Sequence, residues 1–229
     1  MGVNTRNSIV TSGLVLQLDA ANMKSYISGS TTLTDLSGRN NSGSLNNTGY
    51  GANFGGNIVF KNSTTSFGTI ANTGGSLTFG TGDFSIECWF NTNGASQIAA
   101  SILVGLGSAG DATNWQFGFG STNRLSFYYN NAVFVPSTYN PTTPGPTNAV
   151  VTRSGGLVRI YINGIFNVSS ADGGGNNFSD TSELKLGQNR GGTVAYNGSI
   201  STVRLYNKAL SAGEVAQNYN ALKARFGLS

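Results

Sequence analysis

Asn163-Gly164 stands between two apolar runs, Leu157-Val158-Arg159-Ile160-Tyr161-Ile162 and Ile165-Phe166-Asn167-Val168, and this stretch constrains the fold more than any other. Both central residues of a type I′ turn need φ > 0, which Asn tolerates and Gly adopts freely. The two-residue loop also sets a register, with Ile162 opposite Ile165, Tyr161 opposite Phe166 and Ile160 opposite Asn167. That register predicts Ile160, Ile162 and Ile165 on one face, with Tyr161, Phe166 and Val168 on the other. A hairpin apolar on both faces is marginal alone in water. It predicts a place inside a layered β structure, not at a free edge.

Other strands are legible around it. Residues 84–90 alternate strictly, Phe84, Ile86, Cys88 and Phe90 against Ser85, Glu87 and Trp89, as a half-buried strand does. Residues 98–106 are nearly all apolar and predict a central strand. Trp115 to Phe119 and Leu125 to Tyr129 predict a hairpin, and residues 149–153 lead through Ser154-Gly155-Gly156 into the Asn-Gly hairpin as a three-stranded meander. Residues 13–19, 57–60, 67–70, 184–187 and 199–206 supply further strands. Residues 131–147 hold all four prolines and predict a long connection that cannot be a central strand. Residues 1–12 are polar and predict a flexible arm or attachment peptide, so the domain is expected over 13–229. Ser211-Ala212-Gly213-Glu214 is a capping box, with Leu210 able to staple against Val215. It opens a short amphipathic helix expected to seal one end of the core.

Composition removes several classes of function. Charged residues make up only 10% of the 229, and the thirteen Lys and Arg are scattered, without the dense basic stripe that nucleic acid requires. With a single cysteine, Cys88, no intrachain disulfide can form. The N-terminus has no apolar signal region, and no stretch reaches the ~20 apolar residues of a membrane span. With no histidine, imidazole catalysis and His-ligated metals are excluded. None of the nine acids forms the paired pattern that glycoside hydrolysis uses. Asp180-Thr181-Ser182-Glu183 reads as a turn entering a strand, and Glu87 as a solvated or salt-bridged strand residue.

Several segments together carry a family resemblance. Residues 13–26 resemble the opening strand of laminin-G-like jelly rolls in the concanavalin A-like lectin/glucanase superfamily, and Asp35-Leu36-Ser37-Gly38-Arg39-Asn40-Asn41 resembles that family's Asp-x-Ser-Gly-Asn turn. Phe84 to Phe90 resembles its F-T-I-E-A-W-F strand, Arg159 to Gly164 its x-L-Y-V-N-G hairpin, and residues 198–211 its closing strand with the Y-N-R-A-L-S tail. The resemblance implies an all-β, two-sheet antiparallel jelly-roll sandwich with one short C-terminal helix. The opening and closing segments look most like structural proteins of tailed, especially marine, bacteriophages. That likeness implies a non-catalytic virion protein, folded in the host cytoplasm without a signal peptide. Its expected partners are other virion proteins of the capsid, neck or fibre, cell-surface glycans and a second copy of itself, with neither nucleic acid nor membrane insertion. A lectin module is the alternative, and a glycoside hydrolase the more remote one.

The resemblance also sets expectations for cofactors and site. Relatives place carboxylates after the third strand that can help hold calcium. Here the matching run, Phe60 to Phe67, has Lys61 and no acid, so neither metal nor other cofactor is expected unless loop carbonyls supply the ligands. For sugar binding the candidates are Trp115, Tyr128, Tyr129, Tyr139 and Tyr196 as stacking surfaces, with Asp111, Asn114, Asn176, Asn177 and Arg190 as hydrogen-bonding groups. Trp115 reads better as a core residue beside Phe117 and Phe119, since aromatics are mostly buried.

Overall fold

The computed structural model describes residues 8–94, 96–107, 112–129, 132–142 and 144–229. Its strands form two antiparallel sheets packed face to face. In the first, the order is β14 (Ile165–Ala171), β13 (Leu157–Ile162), β12 (Thr147–Ser154), β7 (Phe84–Asn91), β16 (Asn197–Tyr206), β5 (Asn57–Lys61) and β4 (Gly49–Gly51); β1 (Leu14–Asp19) pairs with the second half of β16. In the second, the order is β11 (Ala132–Pro136), β10 (Leu125–Tyr129), β9 (Trp115–Phe119), β8 (Ser101–Leu106), β15 (Leu184–Leu186), β6 (Phe67–Ile70), β3 (Gly43–Asn46) and β2 (Thr32–Leu33). This is the sandwich the sequence predicts.

Period-two alternation decides what each strand buries. On β7, Phe84, Ile86, Cys88 and Phe90 enter the core between the sheets, where they meet Trp115, Phe117 and Phe119 of β9 and Leu125 and Phe127 of β10. Ser85, Glu87 and Trp89 face outward. Above them lies α1 (Ala212–Leu222), started by the expected capping box: Ser211 Oγ accepts from Glu214 N, and Ser211 N donates to the Glu214 carboxylate. The helix does not seal an end of the core; it covers the outer face of the first sheet. Val215 and Leu210 pack there on Val150, Tyr161 and Tyr206. Trp89 stacks on Phe226, in the 3₁₀ turn that follows the helix, with centroids 3.9 Å apart and planes 4° apart. Polar residues of the helix therefore meet polar residues of the sheet, which an end cap would not require.

Three other expectations change. Asn163 and Gly164 take φ of 51° and 78°, and Ile162 faces Ile165 and Tyr161 faces Phe166, as the turn predicts. Beyond them a β-bulge intervenes and Ile160 pairs with Val168, not Asn167. Asn167 is drawn aside by Thr138, whose N–H it accepts at 2.9 Å and whose hydroxyl it reaches at 2.7 Å. The shift turns Val168 toward the core. The hairpin is not interior either: β14 ends its sheet, and Ile165 and Phe166 are exposed. The proline-rich connection contains an edge strand, β11, which ends on Pro136 where no ladder donor is needed. Finally, the described part of the polar N-terminal segment is docked, not free. Val10 is buried, its N–H donates to Asn218 Oδ1 at 2.7 Å, and Gln217 reaches Ser8 O.

Candidate functional site

The helix covers part of the first sheet's outer face, leaving a hollow of about 430 Å³ between Thr152, Arg159 and Ala212, and the outer face of the second sheet carries a cleft of its own. Alternation sends Trp115, Phe117, Phe127 and Tyr129 inward, and Gln116 and Tyr128 outward. Gln116 and Tyr128 line a cleft of about 410 Å³, bounded by Ala100 on one side and by Asn189, Arg190, Gly191 and Thr193 on the other. Burial pushes the Tyr128 phenol up to about 12, partly offset by the Ser126 hydroxyl. The phenol is therefore neutral near pH 7.

The wall of the cleft is preset. Asn189 Oδ1 accepts from Thr193 N at 2.9 Å and Val194 N at 3.0 Å, and its own N–H donates to Val194 O at 3.0 Å. This closes a tight turn with Arg190 at its tip. Arg190 N donates to Gln116 Oε1 at 3.2 Å, and its guanidinium donates to Asn114 Oδ1. The wall is thus hydrogen-bonded to the floor before any ligand arrives, which limits the ordering cost of binding. Two amides, a hydroxyl, a guanidinium and an aromatic ring can exchange hydrogen bonds with a polar, uncharged molecule and pack against its apolar side.

The expected site residues do not form one group. Asn114 and Arg190 come together at the cleft, Asn114 fully buried beneath it. Trp115 and Tyr196 are fully buried in the core, Tyr196 donating its hydroxyl to Asn91 O at 2.9 Å, so neither offers a ring face to a ligand. Tyr129 packs inward against Phe178, and Tyr139 spans from Phe90 to the Thr147 hydroxyl at 2.7 Å. Asn176 donates to Asp172 O, fastening the Gly173-Gly174-Gly175 loop; Asn177 is exposed beside it. Asp111 lies outside the described residues. Gln116, Asn189 and Thr193 went unnoticed because each is an ordinary polar residue in sequence. Only the alternation around Trp115 and Phe117 signals that Gln116 faces out.

Most of the other acids hold the fold. Asp35 accepts from Gln17 N, Ser37 N and Asn41 N in the Asp-Leu-Ser-Gly turn. Asp172 pairs with buried Arg153 at 2.5 Å, Asp19 with Arg225 at 2.8 Å, and Asp83 accepts from Ser154 and Gly155. Glu87, fully buried, pairs with Arg204 at 3.3 Å. Asp180 accepts from Ser182 N in the turn entering β15. Among the described residues no three potential His, Cys, Asp or Glu ligands cluster as a metal site. The run after β5 is closed by hydroxyls, with Lys61 N donating to Ser66 Oγ at 3.1 Å. Among the described residues, too, no helix is long and apolar enough to cross a membrane.

A family model of the laminin G type, described as the concanavalin A-like lectin/glucanases superfamily, matches residues 62–216. The chain belongs to that superfamily. No curated protein matches it by sequence. Solved structures that share the superfamily member's fold include domain 4 of AbnA, a GH43 extracellular arabinanase from Geobacillus stearothermophilus, in complex with arabinotriose. It is 15% identical at a TM-score of 0.70, over 91% of this chain and 98% of that one. The binding domain of botulinum neurotoxin DC in complex with SialylT is 16% identical, TM-score 0.70, over 93% of this chain and 52% of that one. Trypanosoma rangeli sialidase is 15% identical, TM-score 0.66, over 95% and 34%. The chain thus spans about a third to a half of the sialidase and toxin chains.

Proposed function

We propose that this protein is a non-catalytic carbohydrate-binding domain, and that the cleft over Gln116 and Tyr128 holds the sugar. The observation that carries the reading is the cleft's chemistry. Its donors and acceptors are preset amides, a hydroxyl and a guanidinium, floored by an aromatic side chain, and among the described residues no carboxylate lines it. Such a lining suits hydroxyl-rich rings and leaves no acid and base to cleave a glycosidic bond. The arabinanase domain solved with arabinotriose and the toxin binding domain solved with SialylT are in keeping with sugar recognition on this architecture. The setting we infer, the surface of a tailed-phage particle, rests on the likeness of residues 13–26 and 198–211; the structures compared above lend it no support.

The test is a glycan array followed by calorimetry on the best ligand, with and without calcium. Arg190→Ala should weaken binding about 10- to 100-fold, since a hydrogen bond to a charged group contributes roughly 1.5–3 kcal/mol, and Gln116→Ala about 2- to 10-fold, since a neutral one contributes roughly 0.5–1.5 kcal/mol. Melting temperatures check that both variants fold. A protein that retains no glycan, or whose binding survives both substitutions, ends the proposal. Hydrolysis of any retained glycan would end its non-catalytic half.

A further inference from the structure

Away from the cleft, large exposed apolar side chains gather on one rim of the sandwich. There the ring of Tyr26, in the turn ahead of β2, lies 5.8 Å from that of Tyr50 on β4. Met23 is 82% exposed and Ile27 66%. They flank a hollow of about 270 Å³ whose other lining groups include Lys24 and the hydroxyl residues Ser30, Thr32 and Thr34. Among the described residues, Lys24 is the only charged one lining it.

The turn that displays these side chains is firmly held. Asn22 Oδ1 accepts from Lys24 N at 3.0 Å, and Asn22 O accepts from Ser25 N at 2.8 Å and Tyr26 N at 2.9 Å. Ser25 Oγ, buried beneath, donates to Thr34 O at 2.8 Å and accepts from Asp19 N at 3.1 Å. Met23 and Ile27 therefore project from an ordered base, and their exposure is built in.

Two exposed aliphatic prongs, one cation and a set of hydroxyls share this hollow, with Tyr26 buried beneath them. Aliphatic side chains suit the acyl boundary of a bilayer, and a lysine with neighbouring hydroxyls an anionic phosphate. A protein partner that buried this rim would leave Lys24 needing a carboxylate; an anionic lipid surface supplies the counter-charge everywhere. We propose that this rim docks on an anionic phospholipid surface. The contact is weak and reversible, because two side chains and one charge approach only the marginal anchoring of a single acyl chain. Along the second sheet, β9 and β2 are five strands apart, roughly 24 Å at the usual strand spacing, so the rim and the cleft can be occupied together.

Co-sedimentation of the full chain with vesicles of phosphatidylcholine, alone or mixed with phosphatidylserine, tests this. The wild type should bind the mixed vesicles and lose that binding in high salt. Lys24→Ala should weaken it about fivefold, and the double variant Met23→Ser/Ile27→Ser about 100-fold, from roughly tenfold or more per aliphatic side chain. All three positions are at the surface, and unchanged melting temperatures confirm folding. Gln116→Ala should bind vesicles as the wild type does, which separates this surface from the sugar cleft. Equal binding to both vesicle types, or a double variant that binds normally, overturns the proposal. So does a double variant that instead abolishes self-association in sedimentation velocity, which would make the rim a protein interface.

Discussion

Replacing Glu87 by alanine probes the polar seat on which the C-terminal helix rests. The carboxylate is fully buried and accepts from Arg204 Nη1 at 3.3 Å, Asn148 Nδ2 at 3.0 Å and Asn218 Nδ2 at 2.8 Å. Asn218 passes the network on: its Nδ2 also reaches the Tyr206 hydroxyl at 3.0 Å, which donates to Val10 O at 3.1 Å, and its Oδ1 holds Val10 N. One carboxylate thus ties the sheet, the helix and the N-terminal segment together. Removing it leaves the Arg204 guanidinium buried without a counter-charge, a change that costs about 3–5 kcal/mol. At about 2–4 °C per kcal/mol for a chain this long, the melting temperature should fall by roughly 6–20 °C. Urea unfolding followed by tryptophan fluorescence measures the loss. Hydrogen exchange should show protection of residues 212–222 falling before that of the core strands. Replacing both partners, Glu87→Met with Arg204→Met, should recover most of the stability, because no charge is then stranded. A single variant within about 1 kcal/mol of wild type would refute the reasoning, since the network would then be hydrated and not sealed. A double variant as unstable as the single one would refute it equally.

Gly187 takes φ of 70°, and a Cβ there would lie 2.1 Å from the Phe60 ring; Gly187→Ala should cost about 2–5 kcal/mol from left-handed strain plus overpacking, read as a drop in urea midpoint. Ser211→Ala removes half of the capping box and should cost about 1 kcal/mol in the same assay. The Glu214 carboxyl is held below its usual range, first by its hydrogen bond to Lys208 and then by Ser211 N–H. A depressed carboxylate stabilises the fold fully above its unfolded pKa, and that contribution is lost as pH falls through the folded value. Helix docking should therefore weaken in acid below the normal carboxylate range, and Lys208→Ala should raise the Glu214 pKa in an NMR titration. Burial, reinforced by Glu87, pushes the Cys88 thiol far up, so a thiol reagent should label Cys88 only as fast as the protein opens; rapid labelling of the folded chain would contradict its place in the core.

The strands were legible because they are written in local alternation, which needs no knowledge of the partner strand. Phe84, Ile86, Cys88 and Phe90 announce their face wherever β7 lies, and Asn163-Gly164 announces its turn. Contacts made across long stretches of chain stayed hidden. The bulge at Asn167 depends on Thr138, 29 residues away, and the burial of Glu87 depends on Arg204, 117 residues away. β11 does carry a strand-like Ala-Val-Phe-Val run, but its place in the proline-rich connection masked it. Of the candidate site, Asn114 and Arg190 were found as polar groups flanking aromatics. Of the aromatics, Tyr128 reaches the cleft, whereas Trp115 and Tyr129 misled because they share a parity that faces the core. Alternation shows that neighbouring tyrosines part company, but which of them meets solvent depends on which sheet the helix covers.

That choice of sheet organises the molecule. By composition the outer face of the first sheet looks the better binding surface, with Glu87, Trp89, Asn148 and Arg204 presented on three adjacent strands. The helix takes that surface for itself: Asn218 satisfies the carboxylate from above, and Tyr219 and Phe226 lie parallel to the Trp89 indole. An acid beside an aromatic on a lectin-like strand is here spent on holding a helix, and the same residues without that helix would present a very different surface. The cleft on the second sheet is floored instead by two neutral groups, Gln116 and Tyr128, and walled by a preset turn that carries Arg190. The physical chemistry of the two faces thus points one way: charge is buried and paired where stability is at stake, and uncharged hydrogen-bonding groups, Gln116 and Tyr128 at 7% and 8% exposure, form the floor of the cleft.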